Sequence, residues 1–290
     1  MFTPKQLKKE LELNLALKGL TETYEDVAVS RMQAIRRDVL QNRRFLEGVS
    51  EIYSLAKSAY LKQLATVIDV GKREKQLQFI RRNRKIVTVL ISGNRSLLGN
   101  IVLQTFKVYM SLAQKIESDH VILGHIGSYL AATSKPPLDF VEYEFDDYSA
   151  AEEQMVPIVN YISQYEKILV VYPKFVSVLR QVPQIDDISG GIAVEKPMAT
   201  TKNYFFEPTS GDVMAYFEGQ IIGTLFRQKI LEAMLARYGA RLTIMDHANQ
   251  TIKRIVKQNL QAEQAVIRRE GNKKLLSAFG GMSLWEGMDQ

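Results

Sequence analysis

Two stretches without proline, one at each end of the chain, restrict the fold more than any other feature. From residue 5 to residue 60 there is no proline, and only Gly19 and Gly48 interrupt the good helix formers. Leu13, Leu17, Leu20, Tyr24 and Val27 recur at alternating steps of four and three, and Leu46, Val49, Tyr53, Ala56 and Tyr60 repeat the rhythm. That spacing draws a narrow apolar seam on a helix, as in a coiled coil. Between the two runs lies polar sequence with five arginines, "SRMQAIRRDVLQNRR". A helix over such a span would be on the order of 80 Å long, against about a dozen residues for an ordinary domain helix. It needs a partner helix.

The other end supplies one. No proline occurs between Gly211 and Phe279, and Leu231, Leu235, Tyr238, Leu242, Met245, Asn249, Ile252 and Val256 keep the four-three steps. The same register continues through Asn259, Glu263, Val266 and Glu270, so the seam turns polar toward the C-terminus. Polar seam positions fix register at a cost in stability, and they suit a helix end that leaves its partner.

The middle reads differently. "KIVTVLIS" (85–92), "HVILGHIG" (120–127), "DFVEYEFD" (139–146), "KILVVYP" (167–173) and "KFVSVLRQVPQI" (174–185) are β-rich, with helical sequence over Leu97–Lys115 and Ser149–Tyr165. Alternating strands and helices predict a mainly parallel α/β sheet, with the last pair turning back antiparallel around Pro173. Residues 186–203 read as a loop and "YFFEP" (204–208) as a short last strand. The fold class is therefore α/β plus α: a long antiparallel coiled coil of N- and C-terminal helices with a central Rossmann-like α/β domain. The expected divisions are 1–84, 85–208 and 209–290. Charge follows them roughly. Residues 1–85 carry 18 basic and 10 acidic side chains, residues 86–205 carry 9 and 13, and residues 206–290 carry 11 and 9.

Chemistry is hard to find. The turn in "KIVTVLISGNRSLLGN" (85–100) follows a strand and precedes a helix, where phosphate loops sit. A Walker loop needs Lys and Ser or Thr after its second glycine, and here Asn100 and Ile101 follow Gly99; a dinucleotide fingerprint needs a third glycine. The turn reads as structural, with Gly93 and Gly99 permitting the bend and Asn94 or Ser96 capping the next helix. His120 and His125 fall five apart in a predicted strand, on opposite faces, and His247 is remote. Without cysteine there is no thiol nucleophile or thiolate metal site. The acidic run "EYEFDDYSAAEE" (142–153) reads as charge favouring a helix start. No cofactor is expected and the chain reads as non-catalytic. The basic stretch 71–85 reads as a solvated face rather than a nucleic-acid site. No apolar run spans a membrane and no signal peptide is expected.

Several stretches, in order, resemble the gamma subunit of F-type ATP synthases. "NRSLLG" (94–99) is similar to the family's D-R-G-L-C-G turn, "KFVSVLRQVPQ" (174–184) to K-F-V-S-x-L-x-Q-x-P, and "YFFEP" to Y-x-Y-E-P. "ARLTIMDHANQTIKRI" (240–255) resembles A-R-M-x-A-M-x-x-A at Arg241, Met245 and Ala248. "EQAVIRRE" (263–270) is similar to R-Q-A-x-I-T-x-E, and Gly280–Gly281 to the terminal glycines. The family's basic K-I-T-K-A-M-K-M-V segment is replaced by "GLTETYEDV" (19–27), its arginine by Glu263 and its threonine by Arg268.

The resemblance implies a central rotor shaft that carries torque between a membrane ring of c subunits and a head of alpha and beta subunits. It also implies an epsilon partner, one copy per complex, and a peripheral place on the cytoplasmic side of a membrane. It assigns head contacts to Arg241, Gln264 and Arg268, with Glu22 and Glu25 as further candidates. Tyr204 and Glu207 would belong to the foot on the ring and epsilon. The alternative is a non-rotary coiled-coil scaffold with an α/β insert.

Overall fold

The computed structural model describes residues 4–67, 82–95, 98–147, 150–189 and 210–286. Its elements are α1 (Pro4–Val67), β1 (Ile86–Ile91), α2 (Ile101–Ala113), β2 (Asp119–Leu123), α3 (His125–Ala132), β3 (Val141–Tyr143), α4 (Glu152–Ile162), β4 (Lys167–Ser177), β5 (Arg180–Asp187) and α5 (Ser210–Glu286). The chain divides into two compact units, Ala28–Arg241 and Met1–Val27 with Leu242–Gln290.

The larger unit holds the sheet, in the order β3-β2-β1-β4-β5. β1 pairs in parallel with β2 and β4, β2 with β3, and β5 runs antiparallel to β4. Leu90, Ile122 and Val171 are neighbours across three strands. They form one buried cluster with Tyr109 of α2 and Ala131 of α3, which cover that face. Tyr172, one residue along and so on the opposite face, reaches Glu232 of α5 at 3.0 Å.

Several boundaries differ from the sequence expectation. The run 120–127 is not one strand: β2 stops at Leu123, and Gly124, at φ +95°, starts α3. His125 is therefore a helix residue. The reversal expected at Pro173 falls instead at Val178–Leu179, and β4 runs straight through Pro173. Beyond Val171 that strand has left β1 and pairs only with β5. One edge is then free, which is where a strand tolerates proline. The stretch 139–146 yields only a three-residue edge strand. The expected strand 204–208 lies outside the described residues.

Within this unit α1 and α5 are antiparallel. Asn42 Nδ2 donates to the Thr224 carbonyl at 3.1 Å, and Tyr53 Oη to Glu218 Oε1 at 3.3 Å. Tyr53 and Ala56 pack with Met214 and Ile221. Leu231 and Tyr238 are buried as the periodicity requires.

In the smaller unit the α5 seam is also the expected one, with Met245 and Asn249 buried. Asn259, Glu263 and Val266 are half-buried, while Glu270 and residues 271–279 are exposed. The α1 seam is displaced by one residue. Leu13, Leu17, Leu20, Tyr24 and Val27 are 40–60% exposed, whereas Asn14 and Thr21 are buried, with Lys18 and Glu25 half-buried between them. With Leu7 these continue a strict heptad into Ala28, Ile35 and Asn42. The reason is visible at Glu25, whose Oε1 accepts from Asn249 Nδ2 at 3.2 Å. A polar seam position on α5 selects a polar partner on α1.

Candidate functional site

In an open α/β sheet, ligands lie outside the carboxyl ends of the strands where the strand order reverses. Here that point lies between β1 and β4, beside the turn 92–99. The turn is built tightly. Gly99 adopts φ +60°. Gly93 is required for space instead: a Cβ there would stand 2.9 Å from Leu98 Cδ1 and 3.3 Å from Arg237 Cδ.

The crevice is filled by the chain itself. Asp147, 4% exposed, accepts the backbone N–H of Asn94 at 3.0 Å and that of Arg95 at 3.1 Å on Oδ2. A carboxylate thus occupies the amides that a phosphate would use in a nucleotide loop. Arg237 of α5, 2% exposed, places Nη2 at 3.6 Å from Asp147 Oδ1 and donates from Nη1 to the Ser92 carbonyl. Burial, together with neighbouring Arg241, lowers the Arg237 pKa, and the Asp147 charge opposes that shift.

The same turn caps the N-terminus of α3. Asn94 Oδ1 accepts the His125 N–H at 2.9 Å, the Gly93 carbonyl that of Ile126 at 3.0 Å, and Ser92 Oγ that of Gly127 at 3.0 Å. Asn94 is thus a helix cap, but for α3 across the sheet rather than for α2. Helix α2 starts at Asn100 without a side-chain cap, and Ser96 lies outside the described residues. The acidic run splits in role: Glu152 and Glu153 sit in the first turn of α4, while Asp147 holds the turn.

A second network ties the β4–β5 arm to α5. Tyr172 donates to Asp186 Oδ2 at 2.8 Å, and Lys229 Nζ lies 2.5 Å from the same oxygen. Burial raises the Asp186 pKa, but hydrogen bonds from Lys229, Gln184 and Tyr172 outweigh it and leave the pKa below the ordinary carboxylate value. Gly239 lets the arm approach: a Cβ there would stand 3.1 Å from Phe175 Cε2.

Of the residues singled out from sequence, Arg241 is nearly buried. Its Nη2 lies 4.0 Å from Asp147 Oδ2 and its guanidinium stacks 5.5 Å from the Tyr238 ring. Gln264 and Arg268 are exposed on α5 in the smaller unit. Glu22 and Glu25 belong to the same unit: Glu22 pairs with Lys18 at 3.7 Å, and Glu25 holds Asn249. Tyr204 and Glu207 lie outside the described residues. Sequence reading missed Asp147 and Arg237. The one available signal was an arginine directly beside the apolar seam at Tyr238. Among the described residues no group of His, Asp and Glu could hold a metal ion, and no helix is long and apolar enough to cross a membrane.

A family model described as ATP synthase matches residues 3–270. The ATP synthase gamma chain of Chloroflexus aurantiacus is 21% identical, covering 93% of this chain and 96% of its own. That of Cytophaga hutchinsonii is 22% identical, over 96% and 97%. A solved structure of the Tetrahymena thermophila mitochondrial ATP synthase central stalk and c-ring contains a chain of the same fold. Its TM-score is 0.55 at 15% identity, over 79% of this chain and 99% of that one.

Proposed function

This chain belongs to the ATP synthase family as a gamma-type, non-catalytic rotor-shaft subunit, and we propose which of its surfaces do that work. The observation that carries the reading is the pairing of terminal helices through a heptad seam, with the nucleotide position of the sheet closed by Asp147 and Arg237. A shaft must not twist, and interlocked seam side chains resist torsion.

Three regions divide the labour: 1–84 and 209–290 as the coiled coil, and 85–208 as the body. Gln264 and Arg268 meet the alpha and beta subunits of the head, with Glu22 and Glu25 on the neighbouring helix. Arg241, on the same helix as Gln264 and Arg268, is a third head contact. Tyr204 and Glu207 belong to the foot, toward epsilon and the c-ring. One asymmetric shaft among repeated head subunits gives each a different contact free energy, which biases which catalytic site is open. The complex holds one copy of this chain, peripheral to the cytoplasmic side of a membrane.

The test is assembly. The tagged chain should co-purify with subunits that carry phosphate-binding loops. The double variant Gln264→Ala, Arg268→Glu should stay folded alone yet lower the ATPase turnover of the assembled complex about tenfold, equivalent to ~1.4 kcal/mol. Co-purification without such subunits would favour the non-rotary scaffold.

A further inference from the structure

Within the larger unit, sheet and long helices share a guanidinium just before β1. The Arg82 side chain is 16% exposed. Its Nη1 donates to the Ser189 carbonyl beyond β5 at 2.9 Å, and to the Glu166 carbonyl before β4 at 3.3 Å. Its Nη2 lies 3.8 Å from Glu218 Oε2 on α5. Glu218 Oε1 in turn accepts from Tyr53 Oη of α1 at 3.3 Å. Tyr53 is buried against Met214 and Ile221. Burial, and then the Glu218 carboxylate, raise its pKa, so the hydroxyl keeps the proton that it donates.

The backbone is bent to put Arg82 there. Arg84 adopts φ +59°, in the left-handed region that a long side chain seldom enters. Asn83 Oδ1 accepts the Lys85 N–H at 3.0 Å, and the Asn83 N–H donates to the Gln164 carbonyl at 2.8 Å. That turn holds 82–85 against the connection between α4 and β4. A costly backbone conformation persists where the surrounding structure over-determines it, and such residues cluster at functional positions.

Two other links from the sheet unit, Asp147–Arg237 and Asp186–Lys229, reach α5. The chain Arg82–Glu218–Tyr53 passes through α5 and ends on α1. A load on the sheet that enters through α5 alone can turn it against α1, whereas a load entering through Arg82 reaches both helices. The link is also hard to displace, because separating a pair held out of water strands a charge.

We propose that Arg82 is a positioning residue for torque transfer: it fixes Glu218 and Tyr53 so that the α/β body and both long helices turn as one piece. The proposal rests on the gamma-type reading, because torque passes through this chain only in the assembled complex.

The experiment measures torsional stiffness in that complex. A bead is attached at Leu179→Cys on the body, the head is fixed to a surface, and angular fluctuations are recorded without ATP. ATP hydrolysis is measured in parallel. Arg82→Met keeps the length of the side chain but not its charge, and should raise the angular variance by about threefold or more. ATPase turnover should stay at the parent value, because Arg241, Gln264 and Arg268 are untouched. The nearly isosteric Glu218→Gln should act in the same way, and it decides alone if Arg82→Met does not assemble. Arg82→Lys, which keeps the charge but loses the fork, should fall between Arg82→Met and the parent. Angular variance is a native-state quantity that lowered stability alone does not move. Unchanged variance in Arg82→Met and Glu218→Gln overturns the proposal. So does a rise in variance matched by a fall in ATPase turnover, which puts the defect at the head. Parent complexes that hydrolyse ATP with the bead stationary defeat the rotor reading and this proposal with it.

Discussion

Replacing Asp147 by asparagine keeps the shape of the side chain but removes the acid that, among the described residues, faces both Arg237 and Arg241. Arg237 would then be a guanidinium buried to 2% exposure without a counter-charge. Removing one partner of a buried pair costs about 3–5 kcal/mol. Urea unfolding of the full chain should show a loss of that size for Asp147→Asn. A loss under ~1 kcal/mol would mean that the turn is held by other contacts.

Asp186 gives a different signature. Its pKa is depressed in the folded state. Its contribution is therefore complete above the unfolded carboxylate value of about 4 and is lost as pH falls through the lower folded value. Asp186→Asn should be less stable than the parent at neutral pH, and the gap should narrow below about pH 4. A gap constant with pH would contradict the assignment.

At the scale of elements, the two helices show what periodicity can and cannot tell. The α5 seam was legible because its periodicity marks residues that are buried, Leu231, Tyr238, Met245 and Asn249 among them. On α1 the apolar stripe through Leu13 and Leu17 identified a helix but not its buried side. The next stripe, Asn14–Lys18–Thr21–Glu25, is the buried one because Glu25 meets Asn249. Which of two adjacent stripes is covered depends on a partner more than 200 residues away. The sheet's strands were legible as apolar runs. The ends at Leu123 and Ser177 were not, because apolar sequence continues past both. Asp147 stayed hidden for a similar reason: its role comes from amides 52 and 53 residues earlier.

The displaced seam makes a contrast that stability measurements can check. Ile35, 4% exposed, is a seam residue, and Leu17 is 40% exposed. Ile35→Ala should cost about 2–5 kcal/mol. Leu17→Ser should stay within about 0.5 kcal/mol, as surface changes do. The reverse order in thermal or urea unfolding would restore the apolar stripe as the buried one.

At the scale of the whole molecule, the described features fit the non-catalytic rotor role of the family. The crevice where the sheet could hold a nucleotide contains Asp147 and Arg237, and the terminal helices are joined by seam contacts. The rotor role requires that this body turns relative to a catalytic head. Rotation of a single assembled complex tests it most directly. The chain has no cysteine, so Leu179→Cys, at a hairpin tip 84% exposed, gives a unique attachment for a bead while the head is fixed to a surface. On addition of ATP the bead should rotate continuously in one direction. ATP hydrolysis by the same complexes with the bead stationary would contradict the account.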